Sequence, residues 1–387
     1  MADDLVRFLP LDELRRRTSV KWRAYDDDVL PLWVAEMDVA PAPAIVEALT
    51  TAVRIGDTGY AHRGPLAEVY ADFSTTAYGW TPSPDRISLA PDVMAAITAA
   101  LRLTTAPGDR VVINPPVYPP FREFITYAER QVVDVPLLHD DGGFGLDLDG
   151  LERAFADGAA AYLLCSPHNP TGSVWTRGQL TAIAELAGRY DVLMLADEVH
   201  APLTRPGVDH IPWLSIDHPA AQRSIAFVAA SKGWNLPGLK TALALAGPDA
   251  PPQLADLPRP VQIQTGLFGV IAAVAAFTHG VPWLTALRHR LAANHRLLSD
   301  LLTTHLPRIR HREPDATYLA WLDCGALPVG DDPAATFLTR GRVAFNAGHT
   351  FGPGGRGFVR MNVGTSPELI TEAVRRMCHS LVDSPSA

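Results

Sequence analysis

Three stretches decide how this chain folds: AYLLCSPHNPTG at 161–172, VLMLADEVH at 192–200 and SIAFVAASK at 224–232. Each is an apolar run that ends abruptly in polar, reactive residues. A run apolar at every position suits a strand buried on both faces, as in a mostly parallel sheet covered by helices. Ile87–Leu89, Arg110–Ile113 and Thr241–Ala246 extend the pattern outward. Between the runs the spacing turns helical. Val93, Ile97, Ala100 and Leu101 share one helix face, as do Leu180, Ile183 and Leu186. Alternating strand and helix predicts an α/β fold. Ligands of such sheets bind beyond the carboxyl ends of the strands, so the residues just after each run are the candidates for function.

The 387 residues allow roughly two to three domains. Near the end the pattern changes: Tyr318–Asp323, Val343–Asn346 and Gly357–Val363 read as strands, and 282–305 and 367–382 as helices. This suggests a smaller α+β domain built from both termini. The expected division is 1–45 as an N-terminal arm and part of the small domain, 46–284 as the large domain, and 285–387 as the small C-terminal domain. Residues 251–260 (PPQLADLPRP) read as a surface loop, and the C-terminal DSPSA (383–387) as frayed.

Lys plus Arg number 33 against 42 Asp plus Glu, a formal charge of −9. That balance disfavours nucleic acid or an anionic membrane as partner, since both reward a basic face. Three scattered cysteines exclude a disulfide framework, and no CxxC pair suggests zinc. The first residues, MADDLVRF, lack an apolar signal core. The longest apolar run, Leu267–Phe277, is 11 residues, about half of the ~20 needed to span a membrane, and reads as a buried helix. A cytoplasmic protein is expected.

Lys232 follows a buried strand, where desolvation can lower an amine's pKa and make it a nucleophile toward an aldehyde; otherwise it is a loop lysine. Asp197 ends an apolar run and serves either as counter-ion to a protonated ring nitrogen or as a cap. Glu198 beside it suits a structural hydrogen bond. His200 either donates to a ligand oxygen or is a satisfied loop histidine. DEVH has no second histidine at metal spacing, so a metal site is rejected. In SPHNPTG two prolines fix the backbone around Asn169, aiming one amide outward, unless the string is only a tight turn. PPVYPPF places Tyr118 in a stiff loop, able to stack on a ring or merely to pack. Ala90–Met94 lies between strand and helix, where the N–H groups of Val93 and Met94 could bind phosphate and Asp92 could cap. The glycine-rich 351–357 runs into a strand and reads as a turn. Arg360, on that strand, grips either a substrate carboxylate or a structural anion.

Taken together, Tyr118, SPHNPTG, ADEVH, SK and Arg360 resemble the fold-type I pyridoxal-phosphate enzymes of the class I/II aminotransferase superfamily. LPLWVAEMD, PPVYPPF, LCSPHNPTG, DEVH and SKGWNLPGL resemble, more narrowly, the MalY/PatB-like carbon–sulfur β-lyases, which include cystathionine β-lyases. The resemblance runs from about Val20 to Met377. It implies the pyridoxal-phosphate-dependent transferase fold, a large domain with a mostly parallel seven-stranded sheet plus the small domain, and pyridoxal 5'-phosphate as cofactor. Lys232 would be the Schiff-base lysine and Asp197 the partner of the pyridine nitrogen. Asn169 and His200 would contact the ring hydroxyl, Tyr118 would stack on the ring, and Arg360 with Asn169 would hold the substrate carboxylate. Val93, Met94, Ser231 and Lys240 would lie on the phosphate side. Tyr60 in GYAH would reach the neighbouring subunit's phosphate, which implies a homodimer with shared active sites.

Three positions depart from that resemblance. Asp92 stands where glycine is usual at the phosphate-binding helix start, and a carboxylate beside a dianion is repulsive. It must point away, or Lys240 must compensate, or cofactor affinity falls. Glu36 and Val39 replace the usual Asp and Phe, at positions expected near the substrate mouth. The implied reaction is β-elimination from an S-substituted L-cysteine to a thiol, pyruvate and ammonia. The alternatives are an aminotransferase on the same residues and a regulatory binding protein on the same fold.

Overall fold

The computed structural model describes residues 5–140 and 143–381. The stretch 383–387, expected to fray, lies outside the described residues. Seven strands form the main sheet: β1 (Ile87–Ala90), β2 (Arg110–Ile113), β3 (Gln131–Asp134), β4 (Ala161–Cys165), β5 (Leu193–Asp197), β6 (Ile225–Val228) and β7 (Ala242–Ala246). Their order is β1-β7-β6-β5-β4-β2-β3, and β7 alone runs antiparallel to its neighbours.

The apolar runs have a direct physical reason. Successive strand residues point to opposite faces, and both faces here are cores. On β4, Tyr162 and Leu164 enter one core, while Ala161, Leu163 and Cys165 enter the other. On β7, Leu243 and Leu245 enter the first, and Ala242, Ala244 and Ala246 the second. β3 escaped the sequence reading because it is an edge: Gln131 and Asp134 are exposed, so no apolar run marks it.

A second sheet joins β8 (Arg310–His311), β9 (Leu319–Asp323), β10 (Asn346–Ala347) and β11 (Phe358–Asn362), antiparallel throughout, in the order β8-β9-β11-β10. The expected strand at 343–346 divides in two. Val343–Ala344 leaves this sheet and pairs in parallel with Leu30–Pro31, which ties the N-terminal segment to the C-terminal one. The helices that matter below are α1 (Pro43–Arg54), α2 (Leu66–Tyr78), α3 (Val93–Thr104), α4 (Leu267–His279), α5 (Val281–His305) and α6 (Pro367–Leu381). The apolar run at 267–277 lies in α4, packed against α1 and α2. Among the described residues no single helix is long and apolar enough to cross a membrane.

Residues 251–260 are not a plain surface loop. They contribute to two short helical turns, Pro252–Ala255 and Arg259–Gln262, and bury Leu254 and Leu257 in the second core. Pro252 and Pro260 sit in the first turns of these helices and Pro251 and Pro258 just before them, where a missing N–H costs little.

The N-terminal segment carries a buried ion pair. Lys21 Nζ lies 2.7 Å from Asp38 Oδ1, both side chains are fully buried, and the amine also donates to Glu36 O at 2.9 Å. Burial lowers the Lys21 pKa, against the pull of Asp38. Lys21→Met strands the Asp38 charge and is expected to cost about 3–5 kcal/mol in urea unfolding, whereas Lys21→Met with Asp38→Leu recovers most of that loss. Equal losses in both variants would show that the pair does not act as a unit.

Candidate active site

The carboxyl ends of β4 and β5, the turn after β6 and the start of α3 converge on one cavity of ≈ 290 Å³. Lys232, Asp197, Asn169, Tyr118, His200, Ser231, Lys240, Val93 and Met94 all line it, joined by Asp92, Ala35 and Cys165. The topology explains the convergence: β4, β5 and β6 are adjacent and parallel, so the polar residues after each emerge at one edge. Cys165 stands opposite Asp197 in register, and its thiol accepts the Asn169 N–H at 3.4 Å.

The cavity concentrates charge that the protein leaves incompletely matched. Asp197 is 4% exposed, and its one side-chain hydrogen bond comes from the Val199 N–H at 3.0 Å. Burial pushes its carboxyl up to about 7, against the Val199 N–H and the Lys232 charge. Burial and the Arg360 guanidinium lower Lys232 to about 8, against Asp197 and Glu36. His200 is driven well below its ordinary value by burial, then by Lys232 and Arg360, and its Nδ1 is buried without a hydrogen-bond partner.

Arg360 is 2% exposed on β11. Its Nη1 donates to Asn169 Oδ1 and its Nη2 to Trp33 O, each at 3.0 Å. Its Nε is buried and has no partner. Desolvation lowers its pKa to about 10. Among the described residues no carboxylate lies within ion-pair distance of this guanidinium, and a buried guanidinium with an idle N–H suits an anion.

At the start of α3, Asp92 caps the helix by accepting the Ala95 N–H at 2.8 Å. Its other oxygen accepts from Lys240 Nζ at 3.0 Å. Capping and Lys240 compensation therefore operate together. The first N–H groups of α3 have no intrahelical carbonyl to bond.

Beside the cavity, which Ala35 lines, the segment Trp33–Met37 bends at Val34–Ala35, and its carbonyls are claimed one by one. Arg360 takes Trp33 O, and Asn362 Nδ2 takes Val34 O at 2.8 Å. Lys232 Nζ and Tyr318 Oη share Ala35 O, at 3.2 and 3.0 Å. Lys21 and Asn362 share Glu36 O, and Asn235 Nδ2 takes Met37 O at 2.9 Å. Lys21, Asn235, Tyr318 and Asn362 were not singled out from the sequence. Apart from Lys21 they lie about 200 to 330 positions from the segment they hold, so no local spacing reveals them.

One expectation needs correction. Val39 does not border the site: it is 1% exposed and bridges to Phe8. The Glu36 carboxylate accepts from Ser19 Oγ of the N-terminal arm at 2.7 Å, while its charge still bears on Lys232. Tyr60 is 99% exposed and does not line this chain's cavity. Glu198 accepts the Trp213 N–H at 2.6 Å, the structural bond expected of it. The residues present suit pyridoxal phosphate: a buried carboxylate awaiting a cation, a histidine nitrogen without a partner, a depressed amine, and a helix start beside a lysine.

The aminotransferase class I and II family model matches residues 27–377. The chain is 44% identical to a Mycobacterium leprae protein named "Putative cystathionine beta-lyase", over 99% of this chain and all of that one. It is 34% identical to cystathionine beta-lyase PatB of Bacillus subtilis, over 93% and 95%. The crystal structure of cystalysin from Treponema denticola, which contains a pyridoxal 5'-phosphate cofactor, superposes with a TM-score of 0.89 at 28% identity, covering 98% of this chain and 99% of that one. The family model spans most of the chain, and these relatives align over nearly their full lengths: this chain belongs to the aminotransferase class I and II family.

Proposed function

We propose that this chain is a pyridoxal-phosphate-dependent carbon–sulfur β-lyase that releases a thiol, pyruvate and ammonia from an S-substituted L-cysteine. The observation that carries the reading is the meeting, in one cavity, of a depressed lysine amine and a buried carboxylate, with a guanidinium bearing an idle N–H bonded to Asn169 of the cavity wall. The names of the relatives supply the leaving group.

When bound, pyridoxal phosphate supplies an electron sink for negative charge at the substrate Cα. Lys232 would anchor it and Asp197 would keep its ring nitrogen protonated. Asn169 and His200 would face its ring hydroxyl, and Tyr118 would lie against its ring. Val93, Met94, Ser231 and Lys240 would surround its phosphate. Arg360, kept in place by Asn169 and Trp33 O, orients the substrate carboxylate. The Lys232 amine, freed by substrate, removes the Cα proton, and Ala35 O lies within reach to hold that amine. The Cβ–S bond then breaks with the electron pair leaving on sulfur. A thiol's pKa of about 8.5 makes this departure easy without strong acid help. Water completes the reaction: conjugate plus water gives thiol, pyruvate and ammonium.

The reading extends to a cytoplasmic homodimer in which Tyr60 serves the partner's phosphate. Its support is the exposure of Tyr60 together with Val46, Val53 and Ile55 on or beside α1. We also read two domains, divided near residues 45 and 285, because the two sheets share no strand.

Three outcomes are expected. Given a cysteine S-conjugate and no keto acid, the holoenzyme releases pyruvate and thiol stoichiometrically, and Lys232→Ala lowers kcat by at least ~10³-fold. Turnover only with added keto acid would favour the aminotransferase instead. Capture of pyridoxal phosphate by the cofactor-free protein needs the neutral Lys232 amine. Its rate therefore rises with pH through about 8 and then levels. Arg360→Met moves that midpoint upward by removing a cation; a midpoint that stays put would refute the electrostatic assignment. Mixing inactive Lys232→Ala and Tyr60→Ala chains regenerates about a quarter of wild-type activity, since each mixed dimer holds one intact site. Sites confined to single chains would give none.

A further inference from the structure

At the phosphate corner the chain already carries an anion of its own. The Asp92 backbone is extended (φ −161°, ψ 170°), and its carboxylate turns back over the 12-residue helix α3. One oxygen takes the Ala95 N–H and the other takes Lys240 Nζ. These are the two contacts that a phosphate at this spot would make: a hydrogen bond from a free helix N–H and an ion pair with the nearby cation. Lys240 itself is fixed by its backbone, at φ +57°, with its carbonyl accepting the Gly266 N–H at 2.9 Å. The two side chains are 41% and 58% exposed, so they have room to rearrange.

We propose that Asp92 is an internal stand-in for the cofactor's phosphate. In the cofactor-free chain it caps α3 and neutralises Lys240, so the corner stays formed. When pyridoxal phosphate binds, its dianion must displace Asp92 from Lys240 or share the lysine with it. The result is a holoenzyme that holds its cofactor less tightly than the same cavity would without that charge. The inference rests on the cofactor reading and is independent of the lyase chemistry.

The test compares cofactor-stripped wild type with Asp92→Asn, which keeps the cap and removes the charge, and with Asp92→Ser, a second capping residue. Dissociation constants for pyridoxal phosphate and for pyridoxal, which lacks the phosphate, are read by absorbance titration at low and high salt. Both variants are expected to bind pyridoxal phosphate about five- to ten-fold more tightly at low salt, with a steeper loss in high salt, and to bind pyridoxal unchanged. The thermal midpoint of the stripped protein should stay near wild type in both. Unchanged or weaker binding of pyridoxal phosphate, or an equal gain for pyridoxal, overturns the proposal. Failure of every protein to bind pyridoxal phosphate overturns the cofactor reading along with it.

Discussion

A bent segment outside any sheet must find donors for its carbonyls elsewhere, and at Trp33–Met37 side chains provide most of them. Buried carbonyls left unpaired would each cost about 1–3 kcal/mol, so this segment can lie beside the cavity only because Arg360, Asn362, Tyr318, Lys232, Lys21 and Asn235 reach it. Those donors come from both sheets' surroundings and from the N-terminal arm. The same bonds therefore join the two sheets and position Lys232 and Arg360, the residues to which chemistry is proposed here. Structure and function share one set of hydrogen bonds here.

The site's electrostatics follow from that arrangement. Asp197 is drawn up toward about 7, while Lys232 and Arg360 are drawn down to about 8 and about 10. All three shifts have burial as their leading cause. Each group is charged at a cost that a bound ligand of opposite charge would offset: a protonated ring nitrogen at Asp197, a carboxylate at Arg360. Lys232 differs, because its depressed pKa leaves a reactive neutral amine near physiological pH. The phosphate corner works the other way. There Asp92 and Lys240 already neutralise each other, so the chain trades some hold on a phosphate for a corner that is complete without one.

Much of the architecture was legible in the residues. Strands β1, β2 and β4 to β7 announced themselves as apolar runs because their two faces fill two cores. β3 did not, because an edge strand has one poorly covered side. The glycine-rich 351–357 segment is the turn it was read as, leading into β11 and opening no helix. Proline at 251–260 misled, since it marks helix starts as readily as loops. Val39 was placed near the substrate by its neighbourhood in sequence, yet its side chain lies in the core; Glu36 bonds to the arm while its charge still bears on Lys232.

The sequence by itself determined most of the main sheet's strands and the polar residues that follow them, and so much of the cavity's lining, because buried strands and their carboxyl ends are local patterns. Only the tertiary structure decided which distant donors hold Trp33–Met37, that Asp38 is paired with Lys21 in the interior, and that Asp92 is neutralised by Lys240. Those contacts depend on side-chain direction and on segments brought together across up to some 330 positions. No period or spacing along the chain encodes that distance; it exists only once both sheets are in place.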